Sequence, residues 1–255
     1  SAASDVYKRQ VLFVIDKSGF GGVQSIAHTL MDREFAGIDL TFFFLRNIND
    51  RYGMADLVRD DVIYAKAKHK YSLSCFHELY VLVRDGGFEV LHLNGTKSIL
   101  FGCLLKRLRP QLKIISHDHS SEFDYKGWFV RFLKFSARHV DRFLCVSERR
   151  KQFLISACCV DPAKIAVLNN FVDEKRFVRR DGGGAALCDG GAVVSFVGRL
   201  SRVKGCDVLL RAVPRIRQEL GDIEVRIAGE GPEREALEAL ARNLGIETAV
   251  RFLGY

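Results

Sequence analysis

Four segments of this sequence place charged, polar or backbone-exposing residues where an apolar run gives way to a helical pattern. The first is Gly198-Arg199-Leu200-Ser201-Arg202-Val203-Lys204-Gly205. Two cations five residues apart at a strand–helix junction could hold a diphosphate. Each charge at ~4 Å from a phosphate oxygen is worth about 4 kcal/mol at an effective dielectric near 20, before desolvation is subtracted. A pair could therefore stabilise a departing nucleotide without a metal ion; the alternative is a solvent-exposed basic turn. The second segment is Gly19-Phe20-Gly21-Gly22-Val23-Gln24. Gly21 and Gly22 let the backbone approach a ligand, and the free N–H groups of a helix N-terminus suit phosphate. A dinucleotide fingerprint is disfavoured, because Gln24 stands where the third glycine belongs. A plain turn between strand and helix is the other account.

The third segment is His117-Asp118-His119, expected just after a strand ending near Ser116. Titratable residues at a strand's carboxyl end suit a polar contact or an acid/base group on substrate. A metal site would have to recruit His92 and Glu122, and no zinc-ligand spacing accompanies the pair. A hydrogen-bonded structural histidine is the third option. The fourth segment is Ala228-Gly229-Glu230-Gly231-Pro232, where the glycines allow close backbone approach and Glu230 could accept hydrogen bonds from hydroxyls. It reads equally as a turn and helix cap.

These turns must be positioned by the elements before them. Strands are expected at Val11–Asp16, Leu40–Leu45, Val62–Tyr64, Val90–Leu93, Lys113–Ser116, Arg142–Val146 and Ile165–Leu168. Helices are expected between most of them, at about Val23–Glu34, Ser72–Arg84, Lys97–Leu108, Lys126–His139 and Glu148–Ala157. Residues 179–191 are glycine-rich without apolar period and read as a linker. A second unit follows: strand Ala192–Val197, helix Cys206–Leu220, strand Glu224–Ala228, helix Pro232–Leu244 and strand Val250–Leu253. Pro214 should kink its helix, and Pro232 fits a first helical turn. Alternating strands and helices predict an α/β fold of parallel sheets. Two Rossmann-like domains are expected, at residues 11–178 and 192–255, with ligand chemistry at the carboxyl ends of their strands and in the cleft where they face. Residues 1–10 lack periodicity and an initiator Met, and read as a non-native scar.

The formal net charge is +8, carried by 29 Lys+Arg against 20 Asp+Glu through Arg180, and 10 against 11 from Asp181. The basic excess of the first part suggests a polyanionic or anionic-membrane partner. Lys126–Arg142 concentrates it: Arg131, Lys134, Arg138 and Arg142 lie among Trp128, Phe129, Phe132, Leu133 and Phe135. That segment is either an interfacial helix on an anionic membrane surface or an amphipathic helix packed on the sheet. No apolar run nears the ~20 residues of a transmembrane helix, and no signal peptide appears. Seven cysteines without metal spacing read as reduced and structural. A cytoplasmic protein is expected, peripheral to the inner face of the plasma membrane if the basic helix docks there.

Taken together, the motifs resemble a family. VGRLSRVKGCDVLLRAVPRI, VRIAGEGPEREALEALARNLGI and VRFLGY, in this order over Ala192–Tyr255, are similar to the second domain of retaining GT-B glycosyltransferases of the family 4 type, which include capsular and exopolysaccharide enzymes. Gly21-Gly22-Val23-Gln24 resembles the family's GGxE/Q turn. Val90–Asn94 resembles its V-H-x-H segment with Asn94 replacing the second His. Val146-Ser147-Glu148 resembles its V-S-E turn, and Asn169–Asp173 its N-G-V-D crossing, with Asn170 where Gly is usual.

The resemblance implies a GT-B fold with an acceptor-side first domain and a donor-binding second domain that is incomplete here. Arg199 and Lys204 would bind the nucleotide diphosphate and stabilise it as the leaving group, with Gly21 and Gly22 approaching the donor phosphate. The family's histidine maps best to His117, with His119 a near alternative, and would touch the donor sugar. No metal or cofactor is implied, and Glu122-Phe123-Asp124 is only a weak imitation of a D-x-D pair. The family's pair of glutamates seven residues apart would lie beyond Tyr255, so the chain alone is expected to be inactive and to expose apolar surface. The function expected is transfer of a sugar from a nucleotide-diphosphate sugar to a glycan or lipid-linked acceptor in cell-surface polysaccharide synthesis. The alternatives are another GT-B-like enzyme, such as a sugar-nucleotide epimerase or a phosphorylase, and a non-catalytic module binding anionic glycan. Nucleic acid is not expected, since no aromatic–basic RNA-binding core is present.

Overall fold

A computed structural model of the chain describes residues 7–19, 21–47, 59–66, 72–119, 127–177 and 192–255. It divides into two units, Ser1–Arg176 and Phe177–Tyr255. In unit 1 the strands are β1 (Arg9–Ile15), β2 (Ile38–Phe44), β3 (Val62–Tyr64), β4 (Val90–Asn94), β5 (Lys113–Asp118), β6 (Arg142–Cys145) and β7 (Ile165–Val167). The helices are α1 (Gly22–Met31), α2 (Leu73–Asp85), α3 (Thr96–Leu108), α4 (Gly127–Ser136) and α5 (Glu148–Ser156). The strands form one sheet of order β3-β2-β1-β4-β5-β6-β7, with every pairing parallel.

The apolar strands explain the layers. In β1, Leu12 and Val14 pack with Cys75, Leu79, Ile99, Leu133 and Leu154 from helices α2 to α5. The alternate residues Phe13 and Ile15 pack with Phe42, Phe44 and α1 on the other face. Residues two apart share a face, so an unbroken apolar run is what a strand covered on both sides requires. Each fully buried Leu or Phe contributes roughly 1.5–3 kcal/mol. The register carries Arg9 and Gln10 into β1 opposite Ile38 and Asp39, and Tyr7 hydrogen-bonds Glu89 at 2.5 Å. Two residues of the segment read as a scar therefore belong to the sheet, where main-chain pairing extends a strand past its apolar part.

Unit 2 holds β8 (Ala192–Val197), α6 (Cys206–Leu220), β9 (Ile223–Ala228), α7 (Arg234–Asn243) and β10 (Val250–Gly254). Its parallel sheet has the order β10-β9-β8. Val225, Ile227, Leu210, Val213, Leu237 and Ala241 fill the core between sheet and helices. Helix α6 runs from Cys206 to Leu220 with Pro214 inside it. Helix α7 begins at Arg234, not at Pro232, because the Glu233 and Arg234 N–H groups donate to Leu200 and Gly231 carbonyls. The segment 179–191 read as a linker, Cys188, and the 122–124 segment lie outside the described residues. Cys75, Cys103, Cys145, Cys158 and Cys206 are buried free thiols, and Cys159 is exposed. Among the described residues no helix is long and apolar enough to cross a membrane.

Candidate functional site

The candidate residues of unit 1 gather at the carboxyl ends of β1, β4 and β5. His117 and Asp118 do not follow β5, as the sequence suggested, but form its last two positions, opposite Leu144 and Cys145 of β6. Alternation then sends neighbouring side chains to opposite faces. His117 Nδ1 lies 3.1 Å from His92 Nε2, and its ring sits 3.9 Å, centroid to centroid, from that of His119. His119 Nε2 lies 3.1 Å from Asn94 Oδ1. Asn94 is oriented by donating its amide to the carbonyls of Val14 and His92, so its oxygen accepts and His119 Nε2 carries the proton. Asn170 also hydrogen-bonds His119.

Asp118 takes no part in this ladder. Buried, it forms an ion pair with buried Arg150 of α5, whose guanidinium lies 4.6 Å from the Phe153 ring. Ser147, the middle residue of the Val-Ser-Glu turn, caps α5 by accepting from Arg150 N–H. All three residues of the His-Asp-His run line one pocket, the histidines joined in the ladder and the carboxylate paired with Arg150.

The pocket has a volume of about 200 Å³ and is lined by Val23, Asn94, Gly95, Ile99, His117, His119, Phe129 and Leu133, among others. It is smaller than the roughly 300–1,000 Å³ usual for whole ligands, which suits one ring or small group. His117 is 95% buried, its relative exposure being 5%, and its Nε2 has no hydrogen-bond partner among the described residues. A buried polar atom left unpaired is costly, so this nitrogen is the part of the ladder best placed to meet a ligand.

Burial pushes His92 and His117 down to about 3, with repulsion from His119 as the next cause. Burial lowers His119 as well. His117 is therefore neutral at neutral pH and offers a hydrogen bond rather than an imidazolium charge. The sign for stability follows. Unfolded imidazoles take up protons near pH 6.5, whereas these folded ones resist until about 3. Their contribution is complete above about pH 6.5 and is lost as the pH falls toward 3, each ring adding at most about 1.4 kcal/mol per pH unit to the slope. Urea midpoints should fall through this window, and His92→Asn should flatten the decline.

Two residues at this end escaped the sequence reading. Asp16, just after β1, accepts from the N–H groups of Lys97 (3.0 Å) and Ser98 (2.8 Å), capping α3 with a carboxylate. Gly95 (φ +136°) packs so closely on Asp16 that a Cβ there would lie 2.4 Å from its carboxyl carbon. The α3 N-terminus is thus filled, whereas α1 starts at Gly21-Gly22 with no side-chain cap and no acid in its first turn. Gln24 folds beneath Gly21, its amide donating to the Lys17 carbonyl at 2.9 Å, so a Cβ at Gly21 would have to displace the Gln24 carboxamide oxygen, 2.6 Å away. A Cβ added at Gly22 would meet nothing within 4 Å among the described residues. That leaves open space above a helix N-terminus, which suits an anion.

In unit 2 the basic turn follows β8. Arg199, Arg202 and Lys204 are exposed, and none of the three is drawn into an ion pair among the described residues. Leu200, fully buried, anchors the turn, and Gly205 in the left-handed region (φ +69°) delivers it into α6. Gly229 and Gly231 have a different task from the one the sequence suggested. Cβ atoms there would lie 1.9 Å from the Gly198 carbonyl oxygen and 2.2 Å from that of Leu200. The close approach is to the basic turn's own backbone, reinforced by Leu200 N–H donating to the Glu230 carbonyl at 2.9 Å. Gly231→Ala should therefore cost over ~1 kcal/mol, read as a lower melting temperature, whereas Gly245→Ala, with nothing within 4 Å, should show only its backbone strain. The Glu230 carboxylate forms an ion pair with Arg234, which also holds Glu238 at 2.9 Å. Among the described residues no group of three His, Cys, Asp or Glu is placed to hold a metal ion.

The sequence pattern of Glycosyltransferase Family 4 matches residues 21–176, and that of Glycosyl transferases group 1 matches residues 186–255. The chain belongs to glycosyltransferase family 4. A Saccharomyces cerevisiae relative, the phosphatidylinositol N-acetylglucosaminyltransferase GPI3 subunit, is 29% identical over 182 residues, spanning 68% of this chain and 40% of that protein. The Schizosaccharomyces pombe gpi3 subunit of the same name is 25% identical over 251 residues, spanning 92% and 53%. The chain thus matches only 40% to 53% of the length of these relatives. Among solved structures, Anabaena Alr3699/HepE in complex with UDP and glucose superposes with a TM-score of 0.74 at 16% identity, covering 97% of this chain and 69% of that one. That likeness establishes the GT-B fold of this family 4 chain.

Proposed function

We propose that the chain transfers a sugar, with retention of configuration, from a nucleotide-diphosphate sugar to a hydroxyl of a glycan or lipid-linked acceptor. The observation that carries this is the turn of unit 2: two exposed cations, Arg199 and Lys204, on a backbone clamped by Gly229 and Gly231. Opposite charge held on a rigid turn stabilises a leaving diphosphate without reorganisation during the reaction. In unit 1, Gly21 and Gly22 offer the uncapped α1 N-terminus to phosphate, and His117 offers neutral Nε2 to a sugar hydroxyl. Glu230 would assist only from within its pair with Arg234. The donor itself supplies the reactive group, so no cofactor enters.

The acceptor reading shifts from capsular and exopolysaccharide synthesis toward an inositol-bearing lipid, because the relatives carry phosphatidylinositol in their names. Incubating a protein that carries this chain together with the glutamate pair implied by the family resemblance with a panel of UDP- and GDP-sugars, with and without phosphatidylinositol, tests this. Acceptor-dependent release of nucleoside diphosphate is expected. Sugar-nucleotide interconversion without acceptor would instead mark an epimerase, which the same fold could support.

A further inference from the structure

We propose that the outward face of α3 and α4 docks on an anionic lipid surface. Four helices cover this side of the unit 1 sheet, and their solvent faces differ. Helix α5 exposes Glu148, Arg149, Gln152 and Ser156, an ordinary polar face. Helix α3 instead exposes Leu100, Leu104 and Leu108, at 40%, 39% and 59%, together with Arg107. Spacing of four residues puts the three leucines in one row. Helix α4 and the turn after it expose Trp128, Arg131, Lys134, Phe135 and Arg138, while Phe129, Leu133 and Ser136 face inward. The two helices touch each other, so the rows lie on one surface.

Charge selects the partner. Neither α3 nor α4 contains an acidic residue, and among the described residues no carboxylate pairs with Arg107, Arg131, Lys134 or Arg138. Leucines beside a tryptophan and ringed by long cations match an interfacial surface, where apolar groups enter the headgroup layer and cations meet lipid phosphates. A protein interface gains nothing from so one-sided a charge unless its partner is acidic. The same two helices wall the His117 pocket from within, through Ile99, Phe129 and Leu133. A helix is about 10 Å thick, so docking would hold the pocket close to the membrane, where a lipid-borne acceptor would enter. The docking itself needs no nucleotide and stands whether or not the proposed transfer reaction holds.

Trp128 is the chain's single tryptophan and is 60% exposed, so its fluorescence reports directly on this face. With phosphatidylcholine vesicles containing phosphatidylserine at low salt, its emission should shift to shorter wavelength and be quenched by brominated lipid. Pure phosphatidylcholine should give little change. Replacing Arg131, Lys134 and Arg138 together by Glu should lower co-sedimentation with anionic vesicles more than tenfold, since each basic residue contributes about fivefold. Gln152→Glu on α5 should leave it unchanged. Should the triple variant melt early, the wild-type Trp128 signal decides. Unshifted Trp128 emission without co-sedimentation would overturn the proposal and leave the face to a protein partner. A folded triple variant that binds like wild type would overturn it too.

Discussion

In a protein that carries this chain together with the glutamate pair implied by the family resemblance, replacing Arg199 and Lys204 together by alanine is expected to reduce transfer by about a thousandfold or more while leaving the melting temperature within about a degree. Removing one preorganised group that stabilises developing charge typically costs about 10²–10³ in rate. Two such groups act here on one diphosphate, so their effects will not simply multiply. The fold should tolerate the change, because both side chains are exposed and form no ion pair among the described residues. The turn is held by buried Leu200 and by the main-chain contacts to Glu230, not by the cations. Single variants should each be severe, and Lys204→Arg should recover part of the loss by restoring charge. A transfer assay beside a thermal melt distinguishes this from unfolding. The same assay at raised salt should show wild type weakening more than the variants, since exposed charges are screened.

The second large effect concerns stability. Arg150→Met should destabilise unit 1 by about 3–5 kcal/mol, because it removes the buried cation paired with the Asp118 carboxylate. The two side chains are 3% and 6% exposed, so water cannot replace the lost partner. Asp118→Leu combined with Arg150→Met should cost much less than either change alone, since an apolar pair of similar volume removes both charges. Urea denaturation of the four proteins forms a double-mutant cycle. Asp118 lies between His117 and His119 in the chain, so loosening it should also disturb the histidine ladder. Activity of the protein that carries the glutamate pair should therefore fall in Arg150→Met even where it remains folded.

Much of this architecture was legible in the sequence, for physical reasons that can be named. A parallel strand covered on both faces must be apolar throughout, and β1, whose last four residues are all buried, announces itself in that way. The unread parts share a cause as well. His117 and Asp118 extend β5 through main-chain pairing with β6, which side-chain polarity conceals. The different pairings of these neighbours, His117 with His92 and Asp118 with Arg150, follow from alternation once the strand is extended, so they were within reach. Gly229 and Gly231 were visible as glycines, but a sequence does not say what approaches them, and it is the basic turn rather than a ligand. Asp16 capping α3 joins residues about 80 apart in sequence, its bonds spanning 81 and 82 positions, a distance no local pattern reports. The exposed leucines of α3 also went unread, because a periodic apolar helix looks the same whichever face it buries.

The central claim is that Arg199 and Lys204 recognise a diphosphate. Isothermal titration of the protein with UDP and GDP, and with the corresponding monophosphates, tests it most directly, repeated on the Arg199→Ala, Lys204→Ala double variant. At least one diphosphate should bind more than tenfold tighter than its monophosphate in the wild type, about 1.4 kcal/mol or more, and the preference should vanish in the variant. A variant that still favours the diphosphate as wild type does, or a wild type indifferent to the second phosphate, would contradict it.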